Sequence, residues 1–402
     1  MQSAFWKAGH RPTLIAAFLY FDLAFMVWVL LGPLAPDIAR DLGLNPAQKG
    51  LMVAVPTLAG AVLRLVNGLL VDRMGPKRTG AISQIIVIGG LLSAYLLGVH
   101  SFGATLVLGL ILGFAGASFA IALPLASRWY PPEHQGKALG IAGMGNSGTV
   151  FAALFAPTLA KLFGWNAVLG FAVIPLTIVF ILYMVMAKDA PDPPPAKPFA
   201  AYLEPLRTAD AWWFMLFYGV TFGGFVGLAA SLSIYFTDQF ALTTVVAGYC
   251  TAGCVFAGSL VRPLGGALAD RIGGIRTLSG VYMVAAAALA GVSTGPASLP
   301  VALLLFVVAM LALGTGNGAV FQLVPQRFRA EIGVMTGLVG MAGGIGGFYL
   351  ASSLGFAKQM TGNYQSGFLI FAALALVALF GLTGVKKRWR TTWGAAIQGV
   401  RI

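Results

Sequence analysis

The sequence predicts an all-α, polytopic membrane protein with twelve transmembrane helices in two pseudo-symmetric six-helix bundles. Of its 402 residues, 58% are hydrophobic and 9% are charged, and the mean hydropathy is +0.87, whereas a soluble domain carries about 25% charged residues. Apolar runs of about 20 residues, the length that a helix needs to cross a bilayer, recur along the chain. The short alternating segments typical of a membrane β-barrel are absent from the sequence.

Short charged or Pro/Gly-rich turns divide the apolar runs into spans. The first run is too long, and its flanks are too polar, for a cleaved signal peptide. Small residues let membrane helices approach closely, and the 53 glycines fit such packing. The predicted spans are 12–35, 48–70, 79–99, 103–127, 137–160, 165–186, 210–236, 244–268, 277–295, 299–324, 332–356 and 363–385.

A proline-rich segment, 188–198, separates the first six spans from the last six. Because proline cannot continue a helix, this segment predicts a stiff connection between two bundles. The predicted domains are an N-terminal bundle (1–187), a linker (188–209), a C-terminal bundle (210–385) and a basic tail (386–402).

The positive charge lies mostly on one side of the predicted membrane domain. The formal net charge is +13, but apart from Arg64 and Arg262 only four basic residues fall on the side away from the termini: Arg40, Lys49, Lys161 and Lys358. This asymmetry follows the positive-inside rule and predicts that both termini and the linker are cytoplasmic, in a multi-pass protein of the cell inner membrane. It argues for membrane lipids, and against nucleic acid, as the partner of the basic charge.

An internal repeat relates the two halves of the chain. Segment 64–75 recurs as 262–273, with Arg, Gly, Asp, Arg and Gly in step, and Tyr20 and Tyr218 have the same separation of 198 residues. Both halves begin on the same side, so the repeat is parallel. Parallel six-span halves with the substrate between them describe the major facilitator architecture.

Arg64 and Arg262 fall inside predicted spans, where a charged side chain costs at least about 2.5–3.5 kcal/mol and is usually functional. Two such residues related by the repeat predict one central site for an anion. At 1.5 Å per residue, both lie about 12 Å deep, and Asn146, Tyr20 and Tyr218 lie at about 12–14 Å. Five groups from five helices are therefore predicted to share one plane.

Each of these residues also has a structural interpretation. A buried arginine can bond backbone carbonyls, Asn146 can join two helices, and Tyr20, Phe119 and Phe222 can be ordinary packing residues. The glycines are interpreted only as residues that let helices pack closely and move.

The motif Asp-Arg-x-Gly-x-x-Arg at 72–78 resembles the loop signature of the major facilitator superfamily. The glycine-rich segments 113–124, 140–148 and 337–348 resemble the nitrate signatures of its nitrate/nitrite porter family. The resemblance covers essentially the whole chain and implies transport of nitrate, with nitrite, by alternating access. One departure stands out, since Ser118 lies where the family pattern leads us to expect asparagine.

The resemblance also implies roles for individual residues. Arg64 and Arg262 would hold the anion from opposite bundles, and Asn146 would hydrogen-bond it. Tyr218, Phe222 and Phe119 would form walls and a lid. Guanidinium suits nitrate because both are planar and weakly hydrated, and flat aromatic walls select a flat ligand over tetrahedral sulfate or phosphate.

Uptake of nitrate against an inside-negative potential needs a coupled cation or an exchanged anion, since each charge is opposed by about 2.3 kcal/mol per 100 mV. Asp22 is the one acidic residue predicted deep within a span, and it is the candidate proton-coupling group; its alternative role is a permanent counter-ion or helix staple. Proton symport is the first interpretation, serving nitrate assimilation. Nitrate/nitrite antiport and a small-carboxylate carrier of the same fold are the alternatives.

The remaining polar motifs predict supporting roles. Asp72, Arg73, Asp270 and Arg271 lie in loops between spans and are interpreted as gating and stability elements. No metal or cofactor is predicted, because the three histidines are scattered and Cys250 and Cys254 offer too few ligands. The chain is expected to be a functional monomer and a transporter, not an enzyme.

Overall fold

The computed structural model describes residues 2–191, 200, 203–328 and 331–394. Within these ranges twelve helices are long and apolar enough to cross a membrane, as predicted, and no β-strand occurs. They are α1 (Arg11–Leu42), α2 (Pro46–Met74), α3 (Pro76–Leu97), α4 (Phe102–Ser127), α5 (Ala138–Phe163), α6 (Trp165–Met186), α7 (Ala209–Phe240), α8 (Thr244–Ile272), α9 (Gly274–Ser293), α10 (Leu299–Arg327), α11 (Ile332–Thr361) and α12 (Gln365–Thr391).

Most helices extend a few residues beyond the predicted spans, because a helix does not stop where the hydrocarbon ends. The largest difference is in α1, predicted to end at 35 and observed to end at Leu42. Its last turns are amphipathic and carry an ion pair between Arg40 and Asp37 at 2.6 Å. The helix α2 begins with a capping box, in which the Asn45 side chain accepts from the Gln48 amide and the Gln48 side chain accepts from the Asn45 amide.

Three spans of the first half are interrupted. Helix α1 breaks between Trp28 and Leu31, α4 breaks at Ala117 and Ser118, and a 3₁₀ turn, Met144–Ser147, interrupts α5. The corresponding helices of the second half, α7, α10 and α11, are continuous. The breaks in α4 and α5 fall inside two of the glycine-rich motifs.

The helices pack mainly within two groups. In the first half α2 packs on α4 and α3 on α6; in the second half α7 packs on α11, α8 on α10 and α9 on α12. The groups meet mainly along three pairs: α2 with α11, α5 with α8, and α1 with α7. Part of the predicted linker 188–209, namely 192–199 and 201–202, lies outside the described residues, and the domain limits stay predictions.

One end of the helical domain carries the turns at Gly75 and Gly273 and is called the terminal face. The other end carries the turns at Gly43 and Ala241 and is called the opposite face. Near the opposite face the two halves touch backbone to backbone. A Cβ added at Gly50 would lie 2.7 Å from the Gly355 Cα. Only glycine on both sides permits such an approach.

Candidate functional site

Arg64 lies on α2 where that helix contacts α11, and it is 1% exposed. Its Nε donates to the Gly116 carbonyl of α4 at 3.2 Å, and its Nη1 donates to the Gly340 carbonyl of α11, in the other half. Its Nη2 is buried and has no hydrogen-bond partner in the described structure. The N–H groups on Nη2 of Arg64 therefore remain without an acceptor in the described structure.

The break in α4 supplies the first of these acceptors. In an uninterrupted helix the Ala120 amide would bond the Gly116 carbonyl. Here that amide donates to the Ala117 carbonyl at 3.0 Å. The Gly116 carbonyl is thus available to Arg64, and the glycine-rich motif of α4 positions the guanidinium through its backbone.

Aromatic rings surround the Arg64 guanidinium. Its Cζ lies 5.4 Å from the ring centroids of Trp28 and Phe119 and 5.1 Å from that of Phe222. Cation–π contacts of this kind contribute about 0.5–2 kcal/mol each. Tyr218 stacks on Phe222 with an interplanar angle of 6° and a centroid distance of 5.1 Å.

Arg262 reaches the same cluster from α8. Its Cζ lies 5.9 Å from the Phe119 centroid, so one ring contacts both guanidinium groups. Its Nη1 is buried without a hydrogen-bond partner among the described residues. The Tyr218 hydroxyl interacts electrostatically with both arginines and lies within hydrogen-bonding reach of the Arg262 side chain.

Two aromatic layers lie above and below the arginines. Towards the terminal face, Phe119 lies 5.9 Å from Phe321, which comes from the other half. Towards the opposite face, Trp28 lies 6.4 Å from Phe222 across the same boundary, with the rings nearly parallel. Each layer joins the two halves, so separating the halves at either face would open a path to the arginines from that side.

Asn146 lies on the 3₁₀ turn of α5 and is 2% exposed. Its Oδ1 has no partner in the described structure, while its carbonyl accepts from the Thr149 hydroxyl at 2.8 Å. The turn packs against α1 and against α8, the helix of Arg262.

Tyr20 occupies a different place from the arginine cluster. It lies 5.2 Å from Tyr183 and lines a small cavity of about 10 Å³ together with Ser83 and Gln84, inside the first half. Such a cavity holds about one water molecule. A role for Tyr20 in binding an anion stays a prediction, and its position favours the packing alternative.

Asp22 is 5% exposed on α1, and its carboxylate accepts a hydrogen bond from the Ser147 hydroxyl at 2.7 Å.

The predicted gating residues lie at the terminal face. Asp72 pairs with Arg128 of α4 at 2.9 Å, within the first half. Arg73, Asp270 and Arg271 are exposed.

Sequence reasoning missed several members of the cluster. Trp28 and Phe321 gave no signal beyond apolarity, although Phe321 lies in a glycine-rich segment, 314–325, that parallels 113–124 of the first half. The carbonyls of Gly116 and Gly340 bear no side chain at all. Their position in glycine-rich motifs was the available signal, since glycine leaves the backbone open to contact.

Comparison with known proteins agrees with this architecture. The Major Facilitator Superfamily model matches residues 16–351. The chain has TM-scores of 0.69 and 0.70 with a bacterial homolog of the human lysosomal transporter Spinster and with the human organic anion transporter MFSD10. The two alignments cover 96% and 99% of those structures and 93% of this chain, and the sequence identities are 18% and 17%. These similarities concern the fold alone.

Relatives in sequence match over nearly the whole chain. It is 35% identical to the "Probable nitrate/nitrite transporter NarK2" of Mycobacterium tuberculosis, over 92% of this chain and 95% of that protein. It is 31% identical to the "Probable nitrate/nitrite antiporter NarK1" of Thermus thermophilus, over 90% and 88%. It is 32% identical to the "Nitrite extrusion protein" of Bacillus subtilis, over 88% and 89%. The chain therefore belongs to the Major Facilitator Superfamily and, within it, to the family of nitrate/nitrite transporters, which are carriers and not enzymes.

Proposed function

We propose that this protein carries nitrate, and with it nitrite, across the cytoplasmic membrane by alternating access, and that it takes up nitrate together with protons. The observation that supports this best is a pair of buried guanidinium nitrogens without hydrogen-bond partners, Arg64 Nη2 and Arg262 Nη1, beside the Tyr218 hydroxyl and the stacked rings of Tyr218 and Phe222. A buried polar group without a partner costs about 1–3 kcal/mol. A small anion between the arginines would satisfy both nitrogens.

The chemistry of the cluster suits a flat, monovalent oxyanion. Guanidinium groups present donors in a rigid planar fork, and charge-assisted hydrogen bonds in a dry site are strong. The stacked rings of Tyr218 and Phe222 offer a flat wall beside them. Asn146 adds an amide from the turn that packs against α8. The printed names of the relatives, nitrate and nitrite carriers, point to the same ligands.

The two aromatic layers are the proposed gates. The Trp28–Phe222 layer separates the arginines from the opposite face, and the Phe119–Phe321 layer separates them from the terminal face. We assign the terminal face to the cytoplasm, because the basic loops lie there. Asp72 and Arg128 hold α2 against α4, so that the first half moves as one body at that face.

Transport in proteoliposomes tests the proposal. Purified protein should accumulate labelled nitrate in liposomes whose lumen is alkaline relative to the outside. An ionophore holds the membrane potential at zero, so that the potential cannot drive the uptake. Unlabelled nitrite should compete, whereas sulfate and phosphate should not. Competition by formate, acetate or oxalate at comparable concentrations, with weak competition by nitrite, would instead identify a small-carboxylate carrier.

Exchange of nitrate for nitrite is the second candidate, and the Thermus thermophilus relative is named for it. In that scheme the two arginine charges would keep the empty carrier from reorienting. Liposomes loaded with nitrite and given no proton gradient separate the schemes. Exchange predicts nitrate entry only with internal nitrite; symport predicts entry into nitrite-free liposomes when a proton gradient is imposed.

A further inference from the structure

We infer that Ser147 is a positioning residue that transmits the protonation state of Asp22 to the turn carrying Asn146. This inference rests on the proposed function and deepens it, because it names how a proton would alter the anion site. Ser147 lies next to Asn146 in the 3₁₀ turn that interrupts α5.

The Ser147 hydroxyl has two acceptors and one hydrogen. Its Oγ lies 2.7 Å from the Asp22 Oδ1 and 2.9 Å from the carbonyl oxygen of Met144. A hydroxyl donates a single hydrogen bond and can accept others. The two acceptors therefore compete, and the stronger one takes the hydrogen.

Protonation of Asp22 decides that competition. When Asp22 is a carboxylate, the charge-assisted bond from Ser147 is the stronger one. When the carboxylate takes up a proton from water, its own O–H donates to the Ser147 Oγ, and the Ser147 hydrogen turns to the Met144 carbonyl. One proton is gained, no other bond to hydrogen is lost, and release to water reverses the sequence.

The backbone of the 3₁₀ turn transmits this change to Asn146. Met144 and Ser147 are the first and last residues of the turn, and their hydrogen bond spans Asn146. A Cβ added at Gly145 would lie 2.6 Å from the Phe21 ring, and one at Gly148 would lie 1.7 Å from the Asp22 carbonyl oxygen. The turn is thus seated directly on α1 at Asp22, and it has little room to absorb a change without moving the Asn146 amide.

No charged side chain is needed to explain the coupling. The groups that act on the Asp22 carboxyl are the Ser147 hydroxyl and the Gly148 amide, both neutral. The ionisable side chains that helices packed against α1 bring to the centre of the protein have contacts of their own. They are Tyr183 of α6 with Tyr20, Arg64 of α2 with two carbonyls and three rings, Tyr218 of α7 with Phe222 and Phe321, and Arg262 of α8 with Phe119.

The test compares Ser147→Ala with two controls. Ser147→Thr keeps a hydroxyl at the same position. Thr149→Val removes a hydroxyl that donates to the Asn146 carbonyl and not to Asp22. Two rates are measured in proteoliposomes: nitrate/nitrate exchange at equal pH, and the acceleration of nitrate entry by an inward proton gradient. Ser147→Ala should retain exchange and lose about tenfold in proton acceleration, the equivalent of one charge-assisted hydrogen bond. Ser147→Thr should restore that acceleration, and Thr149→Val should keep it.

Three results would overturn the inference. They are wild-type proton acceleration in Ser147→Ala, equal losses in Ser147→Ala and Thr149→Val, and nitrate exchange by the wild type with no response to protons. The last result would leave nitrate transport standing. A wild type that moves no nitrate in either assay would instead refute the proposed function.

Discussion

Lys49 at the start of α2 and Asp238 near the end of α7 form an ion pair of 2.9 Å that joins the two halves at the opposite face. The pair is largely shielded, with side-chain exposures of 14% and 21%. Tyr364 of α12 donates a second hydrogen bond to Asp238 at 2.6 Å, which holds the carboxylate towards Lys49. These contacts close the same face at which Gly50 meets Gly355.

We predict that Lys49→Gln raises the fraction of molecules in which the two halves are separated at the opposite face. The lost pair is worth about 1 kcal/mol, or roughly a fivefold shift between conformations. A cysteine introduced as Ala230→Cys, at the contact with Gly32, should react faster with a membrane-impermeant maleimide once Cys250 and Cys254 have been replaced by serine. Arg40→Gln is the matched control, since it breaks a pair inside α1 on the same face. Equal labelling rates in the two variants would contradict the role of Lys49.

The glycines of α11 provide a second prediction with a control on the same helix. A Cβ at Gly344 would lie 2.7 Å from the Ala61 Cβ and 2.9 Å from the Thr57 carbonyl, both on α2 of the other half. Overpacking of this kind costs about 1–3 kcal/mol. Gly344→Ala should therefore slow nitrate transport by preventing the close approach of α2 and α11.

Gly337→Ala is the control, because nothing lies within 4 Å of the position its Cβ would take. It should transport at the wild-type rate and be slightly more stable, since alanine favours helix over glycine by about 1 kcal/mol. Both variants are compared by initial uptake rates after matching the amount of reconstituted protein. If both lose transport, the glycine motif is needed for a reason other than the α2–α11 approach.

The first turn of α7 holds the terminal face of the second half together. Asp210 accepts from Arg327 of α10 at 2.7 Å, from Arg388 of α12, and from the Trp389 indole at 2.8 Å. Asp210→Asn should lower the free energy of unfolding by about 2 kcal/mol, because hydrogen bonds to a charged group are lost and two arginines are left less well paired. Thermal unfolding in detergent measures the change. Glu204→Gln, an exposed acid on the same face, should leave the midpoint unchanged, and a comparable drop in both variants would contradict the assignment.

The sequence predicted the number and order of the helices well, because hydropathy and helix length are local properties. It did not predict the breaks in α4 and α5. The motifs 113–124 and 314–325 are both glycine-rich, yet only the first is interrupted, and its Gly116 carbonyl accepts a hydrogen bond from Arg64. A hydrogen bond between residues 52 positions apart leaves no local trace in the sequence.

Counting residues from the basic side predicts one depth for Arg64, Arg262, Tyr218 and Tyr20, and the structure brings the first three together. Depth alone does not say which way a side chain points around its helix, and Tyr20 points to Tyr183 instead. Trp28 was missed for the converse reason, because an aromatic residue in an apolar helix carries no sign of its partner.

The central claim is that Arg64 and Arg262 together hold nitrate through their planar guanidinium groups. The most direct measurement is uptake of labelled nitrate by proteoliposomes containing Arg64→Lys or Arg262→Lys, with Arg40→Lys as the control for a charge-conserving change at the surface. We predict that each of the first two falls to the rate of protein-free liposomes while Arg40→Lys transports like the wild type. Undiminished uptake by either single variant, although its fork of donors is gone, would contradict the account.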